Sequence, residues 1–460
     1  MSFIIGANSA SGGFSVDNSV RLDDGSSSYL QKSASAGNRK TFTFSTWLKR
    51  SNLTVAYHTF FSSDQAVSNS FRCTFSSDAA TDDKIMIYFY TGSFELKLIT
   101  NRLFRDPSAW YHIVIAVDTT QGTASNRAKL YVNGVQETSF ATATYPSLNL
   151  DTSVNQSGAP TRVGAGTSLY FDGYMAETVL LDGTAADPTS FGESNEDSGV
   201  WQPIDVSGLT FGTNGFYLDY KDSAELGTDA NGGTNLTETN LTAIDQTTDT
   251  PINNFATMNP LDNFYSAATF SEGNCKVITG GSPDTWNTST FGVASGKWYC
   301  EIKLTNVGSG GSTLVGITDR PTVSATEELG GLATTYAYLN SGNFRTNNTN
   351  TSNGVASAAG DIIGIALDLD SEQNTISYYK NNVLIVAAQN ITAPVSGHYF
   401  IASGDWLEGA FDVCTNEHNF GNPTFTGTDQ ADGNGYGSFE YAPPSGYLAL
   451  CTKNLSEVLS

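Results

Sequence analysis

One supersecondary pattern occurs in each half of the chain, and it constrains the fold more than any other feature. Residues 360–386, GDIIGIALDLDSEQNTISYYKNNVLIV, begin with apolar residues that alternate with small or polar ones, which is typical of a β-strand. After a polar break and a second strand, Asn381-Asn382 tolerates the positive φ angles that a two-residue hairpin requires. Residues 110–135, WYHIVIAVDTTQGTASNRAKLYVNGV, repeat this arrangement and end in Asn133-Gly134. The sequence therefore predicts one β-sandwich in each half.

The composition agrees with an all-β protein. Only 15% of the 460 residues are charged, 12% are aromatic, and Gly, Ser, Thr and Asn are abundant, which is typical of β-rich chains rather than helical enzymes. A chain of this length is too long for a single core. We therefore expect an all-β fold of two antiparallel β-sandwich (jelly-roll) domains joined by a polar linker.

The formal net charge of −24 excludes some classes of partner. Phosphate backbones and anionic membrane surfaces repel such a chain, so we expect no nucleic-acid partner. The amino-terminal stretch lacks the basic and apolar regions of a secretory signal, and the sequence contains no apolar run of transmembrane length. The sequence thus predicts no membrane insertion.

The cysteines argue against disulfides and against a metal centre. Their number is odd, they are scattered, and no CxxC spacing or cluster of histidines accompanies them. We expect buried thiols in a protein made in a reducing compartment. The cysteines are Cys73, Cys275, Cys300, Cys414 and Cys451.

The distribution of strand-like and polar stretches suggests four segments. Residues 1–15 are rich in Gly, Ser and Ala and are interpreted as an amino-terminal arm. Residues 16–221 show strand after strand and form the first predicted sandwich. Residues 222–258 carry few large apolar side chains and are interpreted as a linker that lies over a neighbouring surface. Residues 259–460 form the second predicted sandwich.

A family resemblance supports the first sandwich. The stretches SVRLDDGSSSYL, FTFSTWLKR, WYHIVIAVD, KLYVNGVQ and YFDGYMAETVLLDGT follow one another over residues 16–200, and in this order they resemble laminin-G-like, concanavalin A-like domains. The resemblance implies a curved two-sheet sandwich whose rim or concave face binds glycans, sometimes with calcium. These motifs do not fix the residues of the rim, so no binding residue is carried over.

A second resemblance covers the other half. GKWYCEIKL, VGITD, GDIIGIALDLD, ISYYKNNV, YFIAS and NFG occur in the order seen in SPRY (B30.2-like) domains. The resemblance implies an interaction module, not a catalyst, whose partners contact loops at one end of the sandwich. The stretches DPTSFGE, GVWQP and APPSGYLALCTKNL are similar to versions of these domains in virion proteins of tailed bacteriophages.

Candidate binding residues are the aromatic and amide side chains of two predicted loops of the second domain. One loop is TTYAYLNSGNFRT, and the other is an insertion between Phe420 and Pro443. The alternative is that Tyr336 and Tyr338 alternate into the core. The candidates are Tyr336, Tyr338, Asn343, Phe344, Asn434 and Tyr436.

The sequence offers little to a catalytic mechanism. Glucanases with this type of sandwich place carboxylates along one strand in an E-x-D-x-x-E or E-x-D-x-E pattern, which is absent. Asp368 and Asp370 share a strand face, but a role beside a turn is expected for them. His112 lies in a core-like strand and is interpreted as structural. We therefore expect no enzymatic activity.

Calcium is the one cofactor that the sequence leaves open. Oxygen ligands occur close together at Asp229-Asn231, in the stretch 429–434, at Asp23-Asp24 and at Asp82-Asp83. None matches the twelve-residue EF-hand loop, and aspartates in surface turns are common. No metal site is assigned, and the expectation is no cofactor.

Together these features predict a non-enzymatic phage virion protein that is assembled in the host cytoplasm. The main hypothesis is an exposed fibre or appendage protein that binds a host-surface glycan or protein and contacts other virion proteins, with homo-oligomerisation left open. The alternative is a capsid decoration or tail-adaptor protein with a purely structural role, in which the arm or the 222–258 segment is buried by symmetric contacts. A depolymerising glycosidase is a third hypothesis, against which the absent carboxylate motif argues.

Overall fold

The computed structural model divides the chain into two compact units. It describes residues 13–53, 57–76, 82–262, 268–279, 286–308, 313–323, 327–406, 413–425 and 427–458. Among these, residues 13–252 form the first unit and residues 253–458 the second. Both are built from antiparallel β-sheets, which confirms the all-β, two-sandwich prediction. No helix in the described ranges is long and apolar enough to cross a membrane.

The first unit is built from short and medium-length strands, with one-turn 3₁₀ helices at Ala124–Asn126, Pro188–Ser190 and Ala243–Asp245. The strands are β1 (Ser19–Leu22), β2 (Tyr29–Ser33), β3 (Thr41–Arg50), β4 (His58–Ala66), β5 (Asn69–Ser76), β6 (Lys84–Tyr90), β7 (Phe94–Thr100), β8 (Trp110–Asp118), β9 (Ala128–Val132), β10 (Val135–Gln136), β11 (Phe140–Thr144), β12 (Pro160–Val163), β13 (Ala165–Gly166), β14 (Leu169–Tyr170), β15 (Gly173–Asp182), β16 (Gly192–Ser194), β17 (Trp201–Pro203), β18 (Phe216–Leu218), β19 (Thr237–Thr239) and β20 (Gln246–Thr247).

Two eight-stranded sheets form the sandwich of the first unit. Sheet A has the order β10-β9-β8-β3-β15-β1-β20, with β18 beside β15, and sheet B has the order β11-β7-β6-β5-β4-β12-β2-β19. Because side chains alternate along a strand, Phe42 and Phe44 of sheet A meet Phe61 and Phe71 of sheet B between the sheets. Burial of this aromatic core, at about 25 cal/mol per Å² of apolar surface, is the main stabilising term.

The outer face of sheet A is also covered. The segment after β15 packs Phe191, Val206 and Phe211 on this face, and Trp201 of β17 packs beside Trp47 of β3. Because both faces of sheet A are buried, its central strands carry apolar side chains on both sides.

The segment predicted to be a linker, residues 222–258, is structured and is divided between the two units. Strand β19 pairs with β2 of sheet B, and β20 pairs with β1 of sheet A. Leu226, Leu236 and Leu241 enter the core of the first unit. Residues 253–258 belong to the second unit, where Phe255 is paired with Cys451. The linker prediction therefore differs from the structure, because a few well-placed leucines suffice when strands elsewhere in the chain supply the partner surface.

The second unit contains a second sandwich and a short terminal helix, α1 (Thr452–Val458). Its strands are β21 (Thr269–Ser271), β22 (Lys276–Ile278), β23 (Trp286–Val293), β24 (Lys297–Asn306), β25 (Thr313–Thr318), β26 (Tyr336–Leu339), β27 (Asn343–Thr346), β28 (Thr349–Ser352), β29 (Ile362–Asp368), β30 (Thr375–Lys380), β31 (Val383–Asn390), β32 (Tyr399–Asp405), β33 (Thr415–Asn419), β34 (Gln430–Ala431), β35 (Ser438–Phe439) and β36 (Leu448–Ala449).

Sheets C and D enclose the core of the second unit. Sheet C has the order β21-β22-β33-β24-β29-β30-β31, with β36 parallel to β24, and sheet D has the order β23-β32-β25-β26-β27-β28. Ile302, Ile365 and Tyr378 of sheet C face Val315 and Ile401 of sheet D. All five cysteines of the chain are free and buried, as expected from their pattern.

The two predicted hairpins have the expected geometry. Asn133 and Gly134 have φ angles of 47° and 78° between β9 and β10, and Asn381 and Asn382 have φ angles of 47° and 68° between β30 and β31. Positive φ at both central positions matches the right-handed twist of the flanking strands. The repeated sequence pattern thus corresponds to a repeated hairpin in the structure.

Candidate binding face of the first unit

Three of the predicted binding residues lie in the core of the second unit instead of an exposed loop. Tyr336 and Tyr338 are on β26, Phe344 is on β27, and their exposed fractions are 3%, 1% and 5%. The hydroxyl of Tyr338 donates to the carbonyl oxygen of Val355 at 2.7 Å. Because each tyrosine hydroxyl has a partner at the edge of the core, burial of the ring leaves no unsatisfied polar group. As an exposed binding set these three residues are a wrong prediction, whereas the alternative that Tyr336 and Tyr338 alternate into the core is confirmed.

The other three candidates stay near the surface but have partners within the unit. Asn343 is half-buried and donates to the hydroxyl of Ser341 at 3.2 Å. Asn434 is exposed and donates to the carboxylate of Glu457 on α1 at 2.8 Å. The hydroxyl of Tyr436 donates to the other oxygen of Glu457 at 3.0 Å. The structure therefore brings Asn434 and Tyr436 together at α1, whereas Asn343 lies on β27 of sheet D.

Two acidic residues, one on sheet C and one in the insertion after Phe420, hold this insertion in place. Glu301 on β24 accepts the backbone N–H groups of Glu440 and Tyr441 at 2.9 and 2.8 Å. Asp432 accepts the backbone N–H groups of Gly437 and Ala449 at 3.1 and 2.9 Å. Charge-assisted bonds of this kind order a loop, so these carboxylates act as structural anchors.

The remaining residues considered for chemistry have structural roles. Asp368 accepts the backbone N–H groups of Asp370 and Ser371 and pairs with Lys297, which confirms its predicted role beside a turn. His112 is fully buried, accepts from Trp201 Nε1 at 2.9 Å and contacts Ser45 through Nε2 at 2.9 Å. Burial lowers the pKa of His112 to about 3, so its imidazole is neutral at pH 7.

Of the aspartates considered for calcium, one pair joins a third carboxylate. One oxygen each of Asp23, Asp24 and Asp172 lies within 4.8 Å of the others. Burial raises the pKa of Asp24, the hydrogen bond to Asp172 lowers it, and the charge of Asp23 raises it further, with a net upward shift. By contrast, Asp83 pairs with Arg50 and Arg105 at 3.0 and 2.7 Å. Carboxylate oxygens suit a hard divalent cation, so within the described ranges these three residues form a group that could hold one.

The outer face of sheet B carries a row of polar and aromatic side chains that crosses six adjacent strands. Directly opposite residues of neighbouring strands project from the same face, and the neighbours of this row, such as Phe71 and Ile87, point into the core. The row therefore lies on the outer side of sheet B, where Ser62 and Arg72 are covered and buried and the other members are half-buried. Its members, in strand order β2, β12, β4, β5, β6 and β7, are Gln31, Arg162, Ser62, Arg72, Tyr88 and Lys97.

An aromatic group lies at one end of this row. The rings of Tyr88 and Tyr90 meet the ring of Phe94 edge to face, with centroid distances of 5.7 and 5.2 Å. Lys97 Nζ lies 4.2 Å from the centroid of the Phe94 ring. Phe94 is 43% exposed, and both tyrosines are half-buried. Ring faces and edges at this position are therefore accessible to a ligand.

A charged group lies in the middle of the row. Asp64 accepts from Arg72 Nε at 3.0 Å and from Arg162 at 3.4 Å. The hydroxyl and the backbone N–H of Thr167 also donate to Asp64, at 3.2 and 3.3 Å. Burial lowers the pKa of Arg72, but the hydrogen bond and the charge of Asp64 raise it more, so the net shift is upward. This carboxylate therefore holds both guanidinium groups in fixed positions.

The β13–β14 hairpin borders the face on one side. Ser62 donates to the carbonyl oxygen of Ala165 at 2.7 Å, so the hairpin lies over β4. A Cβ atom at Gly166 would lie 3.3 Å from Arg72 Nε, so a side chain here would crowd the guanidinium group.

We call the outward surface of β5, β6 and β7 together with Arg162 and Asp64 the sheet B face. Its signal in the sequence is the alternation in KIMIYFY, where Tyr88 and Tyr90 follow core residues.

Comparison with known families agrees with the architecture. The sequence model of the Concanavalin A-like lectin/glucanases superfamily, in its laminin-G form, matches residues 24–187, and the model of the SPRY domain matches residues 297–404. The chain thus contains an amino-terminal laminin-G-like domain and a carboxy-terminal SPRY domain. No curated protein matches the chain.

Solved structures with partial similarity include three of different kinds. The SPRY domain of human HERC1 is 16% identical, with a TM-score of 0.28, over 35% of this chain and 96% of that one. A proposed carbohydrate binding protein from Bacteroides ovatus is 14% identical, with a TM-score of 0.33, over 49% and 58%. Domain 4 of AbnA, an arabinanase of Geobacillus stearothermophilus solved with arabinotriose, is 16% identical, with a TM-score of 0.28, over 35% and 69%. At these TM-scores the similarities support no statement about function.

Proposed function

We propose that this chain is a non-enzymatic binding protein whose first unit takes a glycan on the sheet B face. The observation that supports this most directly is the accessible aromatic group of Tyr88, Tyr90 and Phe94, with the half-buried Lys97 beside the Phe94 ring. Sugar rings present apolar C–H faces that stack on aromatic rings, and their hydroxyls need fixed hydrogen-bond partners. In the described part of the unit, sheet A offers no comparable surface, because its outer face is covered by the segment after β15.

A binding role without catalysis fits the state of the carboxylates on this face. Glycoside hydrolysis needs one carboxylic acid that gives up a proton and a second carboxylate across the sugar bond. Asp64 lies between Arg72 and Arg162 with 3% of its side chain exposed, and it also accepts from the hydroxyl and the backbone N–H of Thr167. A carboxylate buried among these donors is not placed to reach a sugar bond, and its role in the proposal is to orient Arg72 and Arg162.

The wider proposal is that the chain is an exposed fibre or appendage protein of a bacteriophage particle. In this arrangement the first unit meets a host-surface glycan and the SPRY domain contacts other virion proteins. The resemblance of the DPTSFGE, GVWQP and APPSGYLALCTKNL stretches to phage virion proteins supports it. Free, buried thiols are compatible with assembly in the reducing host cytoplasm.

Capsid decoration or a tail-adaptor role is the second candidate. In this role, symmetric contacts would bury the arm or residues 222–258. Residues 1–12 of the arm lie outside the described residues, and residues 222–252 are already used within the first unit. Antibody labelling of purified particles separates the two: label at the tail periphery is expected for an appendage, and label over the whole capsid favours decoration. Absence of the protein from particles would overturn both.

Glycan binding is tested with the full chain on a glycan array, followed by titration of the best ligand. Phe94→Ala is expected to weaken binding about tenfold, because it removes a stacking platform worth about 1 kcal/mol beyond its buried area. Tyr441→Ala, which removes a half-buried tyrosine of the second unit, is the matched control and is expected to bind like the parent. Binding of no glycan, or shortened oligosaccharides after incubation, would contradict the proposal.

A further inference from the structure

We infer that the sheet B face binds a single sugar ring, on the free face of Phe94, and not an extended stretch of polysaccharide. This inference rests on the proposed glycan-binding function and adds the size of the unit that is recognised. It starts from the aromatic group of Tyr88, Tyr90 and Phe94, because the arrangement of these rings limits how many sugars a ligand can stack on them.

A β-bulge places Phe94 on the outer side of sheet B. Leu96 of the same strand lies in the core between the sheets. Strict alternation would direct Phe94 to the core as well, since it lies two residues before Leu96. The pairing of β6 with β7 shifts register where Tyr90 pairs with Phe94, and this shift leaves Glu95 as the extra residue. Bulges re-aim side chains in this way, and here the result is a phenylalanine that is 43% exposed.

The ring of Phe94 offers one face to a ligand. Lys97 Nζ lies over the other face, 4.2 Å from the centroid of the ring. The exposed part of the ring is therefore the free face and the edge. The apolar face of a pyranose is similar in size to one aromatic ring, so a single sugar covers this surface.

The two tyrosines do not extend this surface into a platform. The rings of Tyr88 and Tyr90 are inclined at 88° and 63° to the ring of Phe94. A polysaccharide that stacks on several aromatic side chains needs ring faces that point the same way. Rings inclined this steeply instead border the sugar that stacks on Phe94.

The neighbouring strands do not supply a second stacking position in line with the first. Next to Tyr88 along the row, β5 places Arg72 and β4 places Ser62, and both side chains are buried. A sugar chain that crosses the strands from Phe94 therefore meets no aromatic ring of the row on β5 or β4. Contact with one sugar ring limits the dissociation constant to about the millimolar range. An appendage with several copies of the chain compensates for this by binding through many sites at once.

The test measures binding of the full chain by ligand-observed NMR. The probes are the methyl glycosides of glucose, galactose, mannose, rhamnose and N-acetylglucosamine, each with its linear oligosaccharides of two to six sugars. A hexasaccharide is expected to bind at most about sixfold more tightly than its methyl glycoside, because six rings compete for one position and add no contact. Phe94→Ala is expected to weaken binding about tenfold at every length. Phe270→Ala, at a half-buried phenylalanine of β21 in the second unit, is the matched control and should change no affinity.

Each alternative outcome has a defined meaning. A rise in affinity with length beyond about sixfold overturns the inference and leaves the glycan-binding function intact, since further rings then make contacts of their own. Binding that Phe94→Ala does not weaken also overturns the inference, because the ligand then lies elsewhere. If no sugar binds, here or on the array, both the inference and the proposed function fail. Unfolding curves of each variant show whether a loss of binding comes from a loss of folding.

Discussion

Glu177 lies at an irregular point of β15, where a charged residue is held in strained backbone. Its φ angle is +48°, and the pairing of β15 with β3 shifts register between Ala176 and Val179. Its carboxyl accepts a hydrogen bond from the hydroxyl of Tyr217 at 2.7 Å. Burial raises the pKa of Glu177 to about 7, although the Tyr217 hydrogen bond lowers it. A bulge of this kind re-aims side chains and persists only where the surroundings support it.

This carboxyl is expected to make stability depend on pH. The pKa is about 7 in the folded chain, against an ordinary value of 4.5, so the folded state keeps a proton that the unfolded chain releases. The stabilisation is complete below about pH 4.5 and is lost as the pH rises to about 7, by about 3 kcal/mol. Glu177→Gln removes this dependence. Denaturant unfolding of both proteins across this pH range checks it, with the surface variant Glu95→Gln as control. Parallel curves for parent and Glu177→Gln would contradict it.

The buried ion pair of Lys49 and Asp249 supplies a second prediction. Lys49 Nζ lies 2.8 Å from Asp249 Oδ2, the two side chains are 1% and 0% exposed, and Trp110 Nε1 donates to Asp249 Oδ1 at 3.0 Å. Lys49→Met is expected to destabilise the first unit by about 3–5 kcal/mol, because Asp249 then stays buried without its counter-ion. Urea unfolding measures the loss.

An exposed ion pair is the control for Lys49→Met. Lys40 and Asp151 lie 4.0 Å apart with side chains 38% and 53% exposed. Lys40→Met is expected to cost less than about 1 kcal/mol, since exposed pairs are weak. Equal losses of unfolding free energy in the two variants would contradict this prediction. They would show that the buried Lys49–Asp249 pair contributes no more to stability than an exposed pair.

At the level of elements, the sequence predicted local features well and non-local ones poorly. The hairpins at Asn133-Gly134 and Asn381-Asn382 follow from residues adjacent in the chain. The role of residues 222–252 does not, because the partners of β19 and β20 are β2 and β1, near the start of the unit. A polar segment with isolated leucines has no local signal that distinguishes an edge strand from a linker.

The candidate site was missed for the same reason. Its row crosses six strands drawn from residues 31 to 162, so the sequence does not show it as a motif. The opposite error occurred at Tyr336, Tyr338 and Phe344, where aromatic residues near an expected loop were interpreted as exposed. The structure shows that β26 and β27 lie inside sheet D, and alternation then directs these rings into the core.

The terminal strands of the first unit lead to a prediction about its boundary. A chain of residues 13–252 is expected to fold, whereas a chain of residues 13–221 is expected to lose cooperative unfolding. The shorter chain leaves β1 and β2 without their outer neighbours and removes Leu226, Leu236 and Leu241 from the core. Removal of a buried leucine costs several kcal/mol of stability. The combined loss for three leucines is therefore comparable to the whole stability of a domain. Thermal unfolding followed by circular dichroism compares the two. A sharp transition at a similar temperature in the shorter chain would restore the linker interpretation.

On the scale of the whole molecule, each of the two units has its own main hydrophobic core among the described residues. The core of the first unit lies between sheets A and B, and that of the second unit lies between sheets C and D. Domains with their own cores usually unfold as separate cooperative units. We therefore expect two transitions in calorimetry of the full chain.

Two core substitutions assign these transitions. Ile365 is fully buried in the second unit, and Ile365→Ala is expected to lower one transition by about 2–5 kcal/mol of stability. Ile115, 1% exposed on β8, is its match in the first unit, and Ile115→Ala is expected to lower only the other transition. Since the two sites share no core, the double variant should show both shifts unchanged. A single transition lowered by either substitution would mean that the units unfold together. In that case a ligand on the sheet B face would also stabilise the SPRY domain, because binding to one unit would then shift the unfolding of both.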